Sequence, residues 1–503
     1  MLLCGIAASD RATRLLVREV VLAEDGIDYV PGTRGYRHLT GEFVTKQARC
    51  AKDEGLAYLA AHNHGGTTSM GFSGPDLASH ERGYPTLVGL TRRPVGAIVL
   101  ADRAVAGDIW LPDGARDLAR AVVVGSRRSV LTAEPDPTEP TTNAQYHRQA
   151  LLFGAAGQRI LRASKVAVVG AGGVGMLLVQ TLARLGVGHL IVIDPKRVDP
   201  TNLPRLPEAT RLDAMAFVDR DGMSGAVRRA ARRFAARKVR VARRIAKRAN
   251  PAIIFEGIVG DVADDAVARQ ITDCDFILLA ADTMLARSVV NQVAYQYLVP
   301  ALQVGAKPVI ERETGRVLDV YAVVRTLGTA PGCLSCNDLI DPVRLSEEAL
   351  GDPVQLARQR YVDDPDVAAP SVITINDMGT GWAANDLMQF LTGLGRPASG
   401  YRILRTTRST RRPRTSPSRT RMPIPRVTSA GPESPPPAQL AMAVSSQREC
   451  DLDPKPRVPI AVGRTMAAAH LRGVVGGRPS TALPARPIIT NPRRREAIPN
   501  RRL

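Results

Sequence analysis

Between residues 165 and 279 short apolar runs alternate with longer helical stretches. Lys165–Val169, His189–Ile193, 253–258 and Phe276–Leu279 are rich in β-branched and aromatic residues, as strands require. Helical segments between them, the first over 176–185, predict βαβ units and hence a mostly parallel, Rossmann-like sheet in an α/β unit. The first 130 residues pattern differently. Strands at 15–22 and Val95–Leu100 with a helix near 45–61 predict a separate α+β unit.

Two breaks punctuate this pattern. Glu134-Pro135-Asp136-Pro137 and Glu139-Pro140 mark a short acidic linker. It divides a unit at 1–130 from one at 144–397, with 131–143 between. Beyond 398 the alternation stops. The 503-residue chain carries a formal net charge of +20, and residues 401–503 hold 21 Lys+Arg against 5 Asp+Glu. That leaves 47 against 43 in the first 400 residues, so the two units are nearly balanced. The last stretch also holds 16 of 37 prolines and one aromatic, Tyr401. Such a composition buries too little apolar surface to offset chain entropy, and 398–503 is expected to be a disordered basic tail. Nucleic acid would meet it only non-specifically. No apolar run reaches the length of a membrane span, and Met1 to Ser9 lacks the basic start of a secretory signal. Six cysteines are too few for a disulfide scaffold, so a reducing, cytoplasmic setting is expected.

The run after the first central strand reads Gly170-Ala171-Gly172-Gly173-Val174-Gly175 and opens a helix. Gly170, Gly172, Gly173 and Gly175 allow a tight turn and let backbone N–H groups approach a phosphate. Asp194 ends the next strand, where a carboxylate can hold ribose hydroxyls. The glycines alone are shared with NAD(P)- and FAD-dependent oxidoreductases, which stay open as an alternative. A catalytically impaired binding module is a third reading.

The residues that follow are more specific. Asp194, Asp199, Asn202 and Arg205 form Asp-x4-Asp-x2-Asn-x2-Arg, followed by Lys238 on a helix and Asp282 after Phe276–Leu279. With Tyr146-His147-Arg148-Gln149 upstream and Arg287 and Asn291 downstream, this resembles the ThiF, MoeB and HesA adenylyltransferases, relatives of ubiquitin-activating enzymes. The resemblance covers about residues 144–395. It implies that ATP and Mg²⁺ are bound and that the C-terminal carboxylate of a ubiquitin-like or sulfur-carrier protein, ending in a Gly-Gly type sequence, is adenylylated. It implies that Arg205 and Lys238 grip phosphates, Asp282 holds Mg²⁺, Asp194 takes the ribose and Asn202 orients the phosphates. Arg148 would reach the partner subunit of a homodimer. One departure is the long segment between Arg205 and Lys238, running into a very basic helix: residues 228–249 contain 11 Lys+Arg in 22. That run reads as a solvated face or as a contact for an acidic partner.

Cys333-Leu334-Ser335-Cys336 is placed where many relatives carry half of a four-cysteine zinc site. The second pair is missing, since Cys450 is the only later cysteine. A vestigial zinc knuckle, a thioester-forming nucleophile at Cys333 and inert thiols remain open. Cys274 is expected in the core.

In the first unit His62-Asn63-His64 precedes Ser73-Gly74-Pro75-Asp76. Two histidines two apart on a strand share a face, and the aspartate can complete three ligands, leaving a fourth position open, the geometry of a catalytic zinc. The spacing resembles the JAB/MPN (JAMM) metallopeptidases. That resemblance, over roughly residues 1–130, implies Zn²⁺ on His62, His64 and Asp76 with Ser73 stabilising an oxyanion. The family's general-base glutamate, expected just before Leu2-Leu3-Cys4-Gly5-Ile6, is absent, and Glu19 and Glu24 lie on the wrong side of that strand.

Overall fold

A computed structural model describes residues 1–31, 38–125, 128–134, 144–218, 223–311, 314, 316–328, 333–350, 370–395 and 401–405. The first unit contains β1 (Leu2–Ala8), β2 (Thr13–Val20), β3 (Tyr29–Val30), β4 (His38–Leu39), α1 (Gly41–Glu54), β5 (Ala57–Asn63) and α2 (Gly74–Thr91). Then come β6 (Val95–Leu100), β7 (Val105–Leu111), β8 (Gly114–Asp117), β9 (Ala121–Val124) and β10 (Arg128–Leu131). Six strands form one sheet in the order β2-β1-β5-β6-β7-β8, with only β5 and β6 parallel. Alternation assigns the two faces. Leu3 and Tyr58 pack with Phe43, Ala51 and Tyr84 of the helices, while Leu2, Cys4 and Leu59 pack with Ile98, Val105 and Ile109 on the other side.

The helix expected near 45–61 is shorter and earlier. Gly55 takes the left-handed conformation (φ 69°) and returns its N–H to Ala51 and Lys52, which caps α1. Residues 57–61 then belong to β5, so the apolar run after the glycine is strand. The linker also begins later than expected. Leu131 is in β10, Thr132 bridges Ala104 and the Ala133 carbonyl accepts from Met70. Residues 135–143 lie outside the described residues.

The second unit comprises α3 (His147–Ala163), β11 (Lys165–Val169), α4 (Gly173–Leu185), β12 (His189–Ile193), α5 (Gly225–Arg232), α6 (Lys238–Ala249), β13 (Ile254–Ile258) and α7 (Asp265–Arg269). It continues with β14 (Phe276–Leu279), α8 (Met284–Gln296), β15 (Ala301–Ile310), β16 (Val317–Leu327), α9 (Pro342–Leu350), α10 (Ile373–Thr392) and β17 (Tyr401–Arg405). Its sheet runs β13-β12-β11-β14-β15-β16-β17, with the first five strands parallel and the last two antiparallel. The strand order reverses between β11 and β14. In open α/β sheets this switch point opens a crevice at the strands' carboxyl ends. One face is covered by α4, α6 and α10 around Val168, Leu178, Ile245 and Leu387, and the other by α8 around Ile277, Val290 and Leu334.

Two further expectations are corrected. The basic run at 228–249 is two helices, because the chain turns out of the helix over 233–237 and Arg237 pairs with Arg197 as an isolated bridge. α6 buries Val239, Val241, Ala242, Ile245 and Ala246, while no residue of α5 is buried. The expected tail boundary at 398 falls too early, since 401–405 is β17 paired to β16. Arg402 pairs with Asp386 at 3.1 Å and lies 4.7 Å over the Trp382 ring. The remainder, 406–503, lies outside the described residues. Among the described residues no helix is long and apolar enough to cross a membrane.

The units meet at the amino ends of β11 and β14. Asp275, whose side chain is 9% exposed, pairs with Arg11 at 2.8 Å and Arg128 at 3.0 Å and accepts from the Lys165 N–H. Arg14 donates to the Thr272 and Tyr297 carbonyls. These contacts lie at the opposite end of β11 and β14 from the glycine turn.

Candidate functional site

Three glycines shape the turn after β11. Gly170 is left-handed (φ 96°), and a Cβ there would meet the Ala281 nitrogen at 2.8 Å. At Gly175 a Cβ would run into the Gly170 carbonyl, so both positions must lack side chains for α4 to start against the loop. Gly172, the residue before α4, would meet nothing within 4 Å. Open space therefore lies over the positive end of a 13-residue helix. Asp194 is 5% exposed and accepts from Ala171 N–H at 2.8 Å and Lys196 N–H at 2.7 Å. Its carboxylate braces the loop, and each oxygen keeps a lone pair for a ligand.

Cations collect beside this opening. Asn202 is buried in a short turn where its Oδ1 accepts from Asp199 N–H. Asp199 accepts from the Thr201 N–H and hydroxyl. Burial works to raise its pKa, but those bonds, with Arg232 and Lys238, hold the carboxyl below its ordinary range. Arg205 donates to the Thr201 carbonyl, and its Cδ lies 3.4 Å from where a Gly173 Cβ would sit. The long segment after Arg205 folds back on itself. Leu206, Ala214 and Ala216 enter the core, Asp213 pairs with Arg244 at 2.7 Å, and Val198 N–H donates to Ala236. Lys238 thereby becomes the first residue of α6, 9% exposed. Burial pulls its ammonium below the ordinary lysine value. Asp194 opposes that shift, Lys196 and Arg205 reinforce it, and Asp282 also opposes it. Lys238 thus lies within electrostatic reach of Asp194, Lys196, Arg205 and Asp282 despite the long segment before it. Asp282 is exposed just beyond β14. Arg287 of α8 donates to the Leu339 carbonyl at 3.0 Å; burial lowers its pKa, against the charge of Asp282.

Sequence reasoning missed Asn376, in the first turn of α10. It is 2% exposed, and a Cβ on Gly173 would run into its Nδ2. No spacing rule links a residue after the last crossover to the first glycine turn. Asn291 plays a structural part, since its Oδ1 accepts from Leu334 N–H and pins the turn between the two cysteines. Cys333 and Cys336 have their sulfurs 3.1 Å apart, and Cys336 N–H points at Cys333 Sγ. Among the described residues the pair has no third or fourth ligand, and Cys450 lies outside them. Cys274 is buried, and burial pushes its thiol upward. Arg148 is exposed on α3 beside Leu151 and Leu152, which are 75% and 63% exposed.

In the first unit His62 and His64 stand at the carboxyl end of β5 and meet Asp76 in the first turn of α2. The two Nε2 atoms are 3.1 Å apart, and the carboxylate oxygens lie 3.8 and 3.6 Å from His62 and His64. Burial lowers the His62 pKa, so neutral imidazole is favoured. Ser73 caps α2: its hydroxyl donates to Asp76 Oδ2 at 2.5 Å, and its backbone N–H donates to the same oxygen at 2.9 Å. That hydroxyl is engaged in holding Asp76 rather than turned to an oxyanion. The helix face continues with His80, which is buried, bonded to Asp108 at 2.8 Å and stacked on Tyr84.

Comparison with known proteins places the second unit. The model of the ThiF family matches residues 146–423. Adenylyltransferase and sulfurtransferase UBA4 of Yarrowia lipolytica is 46% identical over 63 residues, covering 12% of this chain and 16% of that protein. The sulfur carrier protein ThiS adenylyltransferase of Bacillus subtilis is 29% identical over 38% of this chain and 49% of its own length. For the molybdopterin-synthase adenylyltransferase of Escherichia coli the figures are 27% identity, 52% of this chain and 86% of that protein. The chain thus spans less than half the length of the first two.

Proposed function

The chain belongs to the ThiF family, and on that premise we propose that its second unit adenylylates the C-terminal carboxylate of a small ubiquitin-like or sulfur-carrier protein. In that reaction a carboxylate oxygen bonds to the α-phosphorus of ATP while the bond from that phosphorus to the bridging oxygen breaks. Pyrophosphate leaves. The step concentrates negative charge, so it calls for preorganised cations and N–H donors. What supports the reading is the gathering of Arg205 and Lys238 beside the open amino end of α4. Asp282 supplies the hard oxygen that Mg²⁺ prefers, and bound Mg²⁺ would offset phosphate charge. Asp194 would take a ribose hydroxyl on its remaining lone pairs, and Asn202 would orient the phosphates. Arg148, on an exposed apolar stretch of α3, would complete the site of a second copy in a homodimer. The unit would run from about 144 to the end of β17 at Arg405, in a cytoplasmic protein.

The first unit is proposed as a JAB-like zinc unit acting on the same carrier's tail. Its ligand atoms all lie within 4.8 Å of one another, and two imidazoles with a carboxylate are donors that Zn²⁺ accepts. Bound Zn²⁺ would act as a Lewis acid there. His62, His64 and Asp76 would hold it, and Ser73 would keep Asp76 in place.

Pyrophosphate exchange into ATP tests the main reading. With carrier proteins ending in Gly-Gly, exchange is expected to depend on the carrier and on Mg²⁺. Absence of exchange with every such carrier, together with tight NAD binding, would overturn it in favour of an oxidoreductase.

A further inference from the structure

We propose that Asn376 belongs to the phosphate site and donates from its side-chain amide to the phosphate chain of the nucleotide at the amino end of α4; this rests on ATP being the nucleotide bound. The Nδ2 atom lies against Gly173, the first residue of that helix, and Arg205 Cδ approaches the same point. An amide nitrogen carries two hydrogens. One is directed to Ser371 Oγ at 3.3 Å, and the other has no acceptor among the described residues. Asn376 is 2% exposed, so water is a poor substitute partner. A buried donor without an acceptor is costly, and a phosphate oxygen in the open space at Gly172 would remove that cost.

The donor is also held in place. α10 packs along α4 with Leu387, Phe390 and Leu391 in the core, and Asp386 and Trp382 anchor it to Arg402 of β17. A donor fixed before the ligand arrives needs no reorganisation when charge develops. The same contact explains Gly173, since any side chain there would displace the amide.

Titration calorimetry of the full-length chain with ATP and, separately, adenosine tests this. Asn376→Ala is expected to weaken ATP binding about tenfold, the loss of one bond to a charged acceptor. Asn376→Asp keeps the shape but places a negative charge against the phosphates, so a larger loss is expected. Adenosine affinity should stay within about twofold in both variants, because adenosine has no phosphate to contact. If Asn376→Asp binds ATP as tightly as the unaltered chain, or if both variants lose adenosine and ATP equally, the proposal fails. An unaltered chain that binds no ATP would instead overturn the adenylylation reading, and this inference with it.

Discussion

The His62–His64–Asp76 cluster takes its side chains from one strand end and the first turn of the helix that follows it, whereas the proposed nucleotide site would draw Gly170, Asp194, Arg205, Lys238, Asp282 and Asn376 from separate elements. The first is half-exposed and held by local bonds, chiefly the Ser73 cap on Asp76. The second is partly buried and held by the sheet, with Asp194, Lys238 and Asn376 all under 10% exposed. A site made of neighbours in sequence can survive damage elsewhere in the fold. A site assembled across crossovers depends on every element that delivers a residue to it.

The largest expected effect comes from the nucleotide side. Lys238→Ala should lower carrier-dependent pyrophosphate exchange by about a hundredfold or more, the usual range for removing one group that stabilises transition-state charge. Zinc content of the same variant should be unchanged. Loss of zinc alongside exchange would show that the two sites are not independent. His64→Ala is the converse: zinc affinity, measured by competition with a chelator, should fall by at least about a hundredfold, since even an outer partner of a ligand can be worth that much. ATP affinity should not move, and a parallel loss would break the contrast.

A smaller effect tests how far the nucleotide site reaches through the fold. Arg402→Ala leaves the buried Asp386 carboxylate without its partner and should cost about 2 kcal/mol in urea unfolding, the desolvation penalty of an acceptor left unsatisfied. ATP binding should weaken with it, because α10 carries Asn376, while zinc binding should persist. The smallest effect concerns the segment that delivers Lys238. The Arg244 hydrogen bonds, the leading cause, hold the Asp213 carboxyl down at about 2. A depressed carboxyl contributes stability above the unfolded value of about 3.9 and loses it as pH falls towards the folded value. The stability gap between the unaltered chain and Asp213→Asn should therefore be widest near neutrality and narrow from about pH 4 towards 2. A gap that does not narrow would detach Asp213 from the anchoring of this segment.

Much of the scaffold was legible in residue order. Three of the four expected central strands match the structure residue for residue, and 253–258 differs only at Ile253. Buried parallel strands leave a continuous apolar signature, and crossover helices must lie between them. Reading failed where one punctuating residue changed the outcome. Gly55 ended α1 and turned the next apolar run into β5, and Arg237 broke a charge-rich stretch that looked helical throughout. Strand β17 was hidden because its five residues open a stretch whose overall composition is that of a basic, proline-rich tail. Its place depends on partners in β16 and α10 that composition does not reveal.

The sequence by itself determined the glycine turn, the carboxylate at the end of β12 and the close grouping of His62, His64 and Asp76, because each follows from spacing within one or two adjacent elements. Only the tertiary structure decided that Lys238 comes within electrostatic reach of Asp194 despite the segment before it, and that Asn376 stands beside Gly173. Both depend on where distant elements pack. That is settled by burial of α6 and α10 on the sheet and by the bridge between Arg197 and Arg237, none of which is a property of neighbouring residues.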